Sequence, residues 1–375
     1  MQKTRLTALA AALFAAAAAQ AADVTVYGLI DTGLSFQHIN LDNGTKSVNK
    51  TQLKGSQLAP NRFGFKGSED LGNGWKVGFQ LEGQFNSDDG ALTGNTARLF
   101  HRAADLFVSN DTYGTLTMGR SGMLRSGNGS TGLWGAKTGP FSNCGGDFVV
   151  GHKYVMPGWF KAVDNTITYK TPKMNGLQLH AQYSGKADAA GVQKDFREFN
   201  HESDRLWGLA ATYGNGPFNM VAIVDSVMYS QKKSTPKDSV KFSLEADYNF
   251  GVAKVYAAGM VFRDTNVSEF QGHNFNGFTT LSNADVYDGY SLELGADIPL
   301  MGGTAKVNVG WMDADFSDKA GGDTTRIGVG AGYVYPLSKR TQLYTLAGYI
   351  RDDSNIATMD HPSATEVMLG LKHSF

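Results

Sequence analysis

The chain has 375 residues, 46 of them glycine, with 41% hydrophobic and 18% charged residues and a mean hydropathy of -0.27. The charged fraction lies below the globular norm and glycine stands at about twice its usual share, which excludes a charged low-complexity coil. No run of about 20 apolar residues follows the N-terminal segment, so spanning helices are excluded. Spanning strands remain open, because strands that alternate lipid-facing and water-facing residues average to a polar sequence.

The first element is an export signal. Lys3 and Arg5 form a basic start, Leu6 to Ala19 an Ala-rich apolar stretch, and "AQA" at 19–21 an A-x-A cleavage site. Residues 1–21 are therefore read as a signal peptide and 22–375 as a single barrel domain. Without Lys3 and Arg5 the mature chain carries 32 basic against 35 acidic residues, about -3, which points to no nucleic acid and no anionic surface as partner. The lone cysteine, Cys144, offers no disulfide framework and reads as a small loop residue.

From there period two dominates. "DVTVYGLIDTGLSF" puts Val24, Val26, Ile30, Leu34 and Phe36 on one face and Thr25, Asp31 and Ser35 on the other; "WKVGFQLEGQFN" separates Trp75, Val77, Phe79, Leu81 and Phe85 from Lys76, Gln80, Glu82, Gln84 and Asn86. Short turn signals fall at 67–75, 109–115, 170–176, 213–217, 248–252, 298–303 and 335–341. Between them lie longer polar loops at 37–56, 87–97, 121–163, 186–203, 229–239, 265–285, 314–324 and 351–364. Short turns and long loops alternate throughout, which predicts an all-β transmembrane antiparallel up-and-down β-barrel of sixteen strands, closed by pairing the last strand with the first. Tyr27, Trp75, Tyr169, Tyr248, Tyr290, Trp311, Tyr333, Tyr335 and Tyr349 sit at strand ends, as interfacial girdles require.

Charges within strands follow from the cost of facing lipid, about 2–4 kcal/mol for Arg or Lys at the midplane. Arg62 in "NRFGFKG" is thus placed in the lumen with Lys66, whereas the parity of Arg102 also holds Leu106 and Val108 and needs a bulge or an early strand end. Arg120 closes "GTLTMGR" where the third loop begins. That loop, at 121–163, has Arg125, Lys137, Lys153 and Lys161, with His152, against the single acid Asp147. Folded inward it makes a basic constriction that favours anions; left outside, its charges are solvated.

"VTVYGLIDTGL", "NRFGFKGSEDLGNGWKVGFQLEGQFN", "YGTLTMGR", "NTITYKTP", "ADYNFGVAKV", "LSKRTQLY" and the terminal "GLKHSF" together resemble the general diffusion porins of Gram-negative outer membranes, especially those of β-proteobacteria. The resemblance implies a homotrimer in the outer membrane, with lipopolysaccharide around it, and a third loop folded into the lumen as an eyelet facing an arginine ladder. Arg62 and Arg102 match ladder positions; at a third, Ala162 stands beside Lys161. The acidic eyelet segment is matched by "GPFSNCGGD", with Pro140, Phe141 and Asp147 as its only carboxylate. The second loop implies a latch onto a neighbouring subunit, and Phe375 the terminal signal read by the outer-membrane assembly machinery.

The expected function is passive diffusion of ions and small hydrophilic solutes with an anion preference, at a constriction set by Arg62, Arg102, Arg120, Arg125, Lys137, Lys161 and Asp147. A substrate-specific channel is the alternative, suggested by Trp134, Phe141, Phe148, Trp159 and Phe160; an outer-membrane barrel enzyme or an adhesin are others. "GNGSTG" at 127–132 is followed by no helical pattern, no G-x-S-x-G occurs, and the histidines show no metal-ligand spacing, so neither cofactor nor metal nor enzymatic activity is expected.

Overall fold

In the computed structural model the described residues are 24–375 except 43–46, 94–97, 135–138, 142–144, 150–151, 159–160, 188–197, 200, 231–236, 267–268, 270–285, 318–321 and 355–360. The signal segment, Lys137, Cys144, Trp159 and Phe160 lie outside them, as do the side chains of His152 and Lys153.

The described chain forms one antiparallel sheet of seventeen strand segments. These are β1 (Thr25–Asn40), β2 (Val48–Gly55), β3 (Arg62–Gly72), β4 (Trp75–Gln84), β5 (Ala103–Asn110), β6 (Gly114–Gly122), β7 (Ala162–Lys170), β8 (Leu177–Ser184) and β9 (Arg205–Asn215). They continue as β10 (Phe218–Met228), β11 (Ser239–Asn249), β12 (Lys254–Asn266), β13 (Val286–Leu300), β14 (Gly303–Phe316), β15 (Asp323–Pro336), β16 (Thr341–Ser354) and β17 (Ser363–Ser374). Among the described residues one short helix, α1 (His152–Val155), lies in the third loop.

β2 and β3 are two halves of one barrel strand. β2 pairs with Thr32–Ile39 of β1 and β3 with Thr25–Leu29, so the barrel is sixteen-stranded. The break between them is written in "SQLAPN": Pro60 has no N–H to give the ladder, and Ser56 takes a φ of 61°. The extruded segment is fastened by Asp31, whose carboxylate accepts from Leu58 N and Ala59 N at 2.6 Å each.

Closure is made by β17 against β1, from Leu29↔Ser374 to Asn40↔Ser363, and continues through reciprocal backbone bonds between Gly28 and Phe375 of 3.1 and 3.0 Å. On the inner side Tyr344 reaches across Gly370 to donate to Asp31 at 2.5 Å, so three consecutive strands of the seam are tied by one bond. Asp31, Ser35 and Gln37 are buried within, while Val26, Ile30, Leu34, Phe36, Val367, Leu369 and Leu371 stand exposed on the outer face.

All seven short turns fall where the sequence places them, and β1 begins and β17 ends on the short-turn side. The first loop is a correction: Gln37–Asn40 and Val48–Gly55 belong to paired strands, leaving only 41–47 between them. Polar alternation in "VNKTQLKG" resembles loop composition because this strand has few apolar residues on its outer face. Aromatics gather at the short-turn end, where Trp75 stacks on Tyr113 at 5.9 Å and Tyr169 donates to Tyr113 O at 2.7 Å. Tyr290 and Trp311 form an edge contact of 5.2 Å on another part of the outer wall. Tyr27 departs from the expected girdle: it faces inward and donates to Glu82 at 2.9 Å.

The described residues of the third loop, within 123–161, pack on the inner wall. Leu124, Trp134, Val155 and Met156 pack with inward residues of β9, β10 and β12 to β14, including Ile223, Met260 and Met312. Phe141, Phe148, Val149 and Tyr154 pack with Ile39, Tyr344, Leu346, Ile350 and Met368 on the other side. Wall glycines make the room. A Cβ at Gly295 would stand 2.6 Å from Pro140, one at Gly330 2.3 Å from the Val149 carbonyl, and one at Gly348 2.4 Å from the Val149 Cα. This is one structural use of the high glycine content.

Two outcomes test these contacts. At the seam, a Cβ on Gly33 would lie 2.2 Å from the Leu369 carbonyl oxygen. Gly33→Val is expected to lose about 1–3 kcal/mol, measured as a lower temperature for the folded-to-unfolded mobility shift on semi-native gels; an unchanged midpoint would show that the seam yields freely. Gly348→Leu is expected to push Phe148 and Val149 off the wall and to change single-channel conductance in a barrel that still folds; wild-type conductance would mean that the loop position is not set by this contact.

Candidate pore constriction

The inner face of β3 to β7 carries arginines that outnumber their carboxylates. Arg62 Nε lies 3.8 Å and Arg102 Nε 2.6 Å from the same Glu82 side chain, and Arg102 donates also to Gln84 Oε1 at 2.9 Å. Arg98 binds Asp164 in a two-pronged arrangement at 2.9 Å for each prong, and Arg120 reaches the same carboxylate at 2.5 Å. Among the described residues, four guanidinium groups thus converge on the carboxylates of Glu82 and Asp164.

Backbone irregularities aim these groups. Arg102 precedes β5, which starts at Ala103; this early strand end frees it from the outward parity of Leu106, and resolves the direction that alternation left open. Arg120 sits at a break in register between β6 and β7, opposite Asn165 with its φ of 52°. His101, in the segment before β5, is held down to about 4, first by burial and then by Arg102, Arg120 and Arg98. It is therefore neutral at pH 7 and adds no charge to the cluster.

Across a gap of about 380 Å³ lined by Tyr27, Arg62, Glu82 and Arg102 stand Gly127 and Gly129 of the third loop. Small residues here leave that gap open. Beyond it the loop is tied to the wall at a series of points. Arg125 is fully buried and donates to Asp225 at 2.5 Å and to Ser243 Oγ at 2.7 Å, with its guanidinium 4.9 Å from the Trp134 ring centroid. Lys306 donates to Pro140 O at 2.9 Å. Glu366 accepts from Asp147 N at 2.7 Å and Phe148 N at 2.9 Å, and Gly146 N from the loop donates to Gln57 O at 2.8 Å. Arg326, paired with Asp352 at 2.5 Å, donates to Tyr154 O at the end of α1 at 2.9 Å. Gly158 N closes the circuit on Glu269 O at 2.6 Å.

The sequence-predicted residues therefore divide. Arg62, Arg102 and Arg120 come together on one wall. Arg125 does not join them: its charge is taken up by Asp225, part of a buried set in which Lys241 lies 3.4 Å from Asp225 and 2.5 Å from Glu269. Breaking such a buried pair costs about 3–5 kcal/mol, so Arg125 fastens the loop. Asp147 pairs with Lys54 at 2.5 Å. Lys161 is exposed at the root of the loop, its carbonyl accepting from Met123 N at 3.1 Å. Pro140 and Phe141 are buried where the loop packs on the wall, as are Trp134 and Phe148.

Alternation missed the partners. Glu82, Asp164, Asp225, Glu366, Lys54 and Arg98 complete the networks. One signal was present in "MVAIVDSV", where Val221, Ile223 and Val227 are apolar on the inward parity that should be wet. An apolar stretch inside a channel marks wall that something covers, and here the loop covers it.

Comparison with known proteins agrees with this architecture. A family model described as Gram-negative porin matches residues 7–355. An outer membrane porin protein of Bordetella pertussis is 30% identical, with all of both chains covered, and outer membrane porin protein 32 of Delftia acidovorans is 28% identical over the same shares. Among solved structures, an anion-selective porin from Comamonas acidovorans superposes with a TM-score of 0.67 at 24% identity, covering 94% of this chain and 99% of that one. With its closed barrel, charged lumen and full-length relatives, the chain belongs to the Gram-negative porin family and forms a diffusion channel of the outer membrane.

Proposed function

We propose that this channel prefers anions, and that the preference is set where the arginine wall of β3 to β6 faces the third loop. The observation that carries the reading is the sharing of Glu82 and Asp164 among Arg62, Arg102, Arg98 and Arg120. The excess positive charge acts in a narrow gap with low-dielectric walls, which focus its field on passing ions. Beside that wall, Lys54 of β2 lies 2.5 Å from Asp147 of the third loop and 3.9 Å from Glu366 of β17, so the loop's carboxylate is engaged by the barrel wall rather than turned toward the arginines. The name of the Comamonas relative, an anion-selective porin, agrees in sign.

Trp134, Phe141 and Phe148 are 1–3% exposed, which favours packing over a sugar-guiding aromatic path and weighs against a binding site made of them. The relatives are channel proteins, so the enzyme reading has no support. A homotrimer surrounded by lipopolysaccharide, a signal removed after Ala21 and Phe375 as the signal for the assembly machinery complete the proposal.

Reversal potential in a planar bilayer under a salt gradient tests the sign. Arg62→Gln with Arg102→Gln is expected to lower the anion-to-cation permeability ratio roughly two- to five-fold, equivalent to about 0.4–1 kcal/mol; an unchanged potential would remove them from the constriction, and a cation-selective wild type would overturn the assignment. Deleting Phe375 is expected to lower the amount of inserted barrel in cells while channels that do form keep their conductance; normal insertion would refute the assembly role.

A further inference from the structure

A second cavity, of about 350 Å³, lies on the inner wall of β5 to β8 and is lined by Phe107, Ser109, Thr115, Thr117, Thr168 and Lys170 together with Gln178, His180 and the third-loop residues Ser130, Thr131 and Leu133. Its size falls within the roughly 300–1,000 Å³ of small-molecule sites. It sits toward the short-turn end: the cross-strand row Ser109, Thr115, Lys170, His180 ends just before the turns at 111–113 and 171–176. The next row holds Phe107, Thr117 and Thr168. A solute that has passed the arginine wall would meet this surface on its way out.

The chemistry of the lining is specific. The Lys170 ammonium and the hydroxyls of Ser109, Thr115 and Thr117 have no hydrogen-bond or ion-pair partner among the described residues. Other lining groups are already fixed: Thr131 donates to Gly122 O at 2.5 Å, and Gln182 to Thr168 Oγ1 at 2.8 Å. Among the described residues that line the cavity, Lys170 is the one permanent cation and none is a carboxylate. Phe107 adds an inward aromatic ring seated over Gly78, where a Cβ would lie 2.4 Å from the ring. An aromatic face, three open hydroxyls and an unpaired ammonium suit a ring-shaped polyol that carries a negative group.

We infer that this cavity is a solute-binding site for small anionic polyhydroxylated molecules, of which a sugar phosphate is the simplest. It rests on the chain being a channel and is independent of the sign of the bulk selectivity. Phe107 would stack on the sugar face, the Ser109, Thr115 and Thr117 hydroxyls would take its hydroxyl groups, and Lys170 would hold its anionic end.

The test is the ion current of the reconstituted protein while glucose 6-phosphate, glucose or inorganic phosphate is added on either side. Glucose 6-phosphate is expected to reduce the current saturably, at concentrations at least ten-fold below those at which glucose or phosphate does so. Lys170→Met should raise the half-blocking concentration at least ten-fold and Phe107→Ala at least three-fold, with open-channel conductance retained in both as the sign of an intact barrel. No saturable block overturns the site. Equal block by inorganic phosphate overturns it as well, by reducing it to a point charge, and so does an unaltered Lys170→Met. Loss of all conductance in the wild type would instead strike the channel reading.

Discussion

Closure of the sheet is the constraint from which the rest of this molecule follows. In hydrocarbon each unpaired backbone N–H or C=O costs several kcal/mol, so a membrane-spanning sheet cannot have an edge. Here the edge is abolished by twelve residue pairs between β1 and β17, extended by the Gly28–Phe375 bonds to the final residue. Once closed, the sheet has two faces of opposite demand. The outer face takes Leu, Val, Ile and aromatic rings, and the inner face collects the polar and charged residues that have nowhere else to go.

That inner face cannot hold isolated charges cheaply, and the structure shows two solutions. Where the third loop covers the wall, charges are neutralised in buried sets such as Arg125, Asp225, Lys241 and Glu269, and these sets fasten the loop. Elsewhere on the wall, Arg62, Arg98, Arg102 and Arg120 converge on Glu82 and Asp164 among the described residues. The same residue type is therefore placed differently according to cover: Arg125 fastens the loop, whereas Arg62 lines an open cavity beside Glu82. Glycine is the counterpart of this division, since Gly295, Gly330 and Gly348 admit the loop backbone where side chains would hold it away.

Much of the fold was legible because a strand's side-chain period is two and its turns have their own chemistry. The seven turns, the sixteen strands and the outward stripes of β1, β4 and β17 follow from those two rules. The misjudged stretches are those where a local rule meets a tertiary demand. The polar β2 reads as loop, Tyr27 reads as girdle although Glu82 and Gln80 draw it inward, and Arg102 reads as ambiguous because alternation cannot see that β5 begins one residue later.

The sequence by itself determined the barrel, its sidedness of short turns and long loops, and the lumenal direction of Arg62, because each depends on neighbours within one strand or on the cost of charge in lipid. It also held apolar residues such as Ile223 on an inward parity, whose meaning as covered wall becomes readable only with the loop in place. Only the tertiary structure decided which charges meet. Arg125 and Asp225 are 100 positions apart, and Asp147 and the Glu366 that holds its backbone are 219 apart. Pairing at that separation is set by barrel closure and by the path of the loop around the wall, and neither leaves a local trace in the residues it brings together.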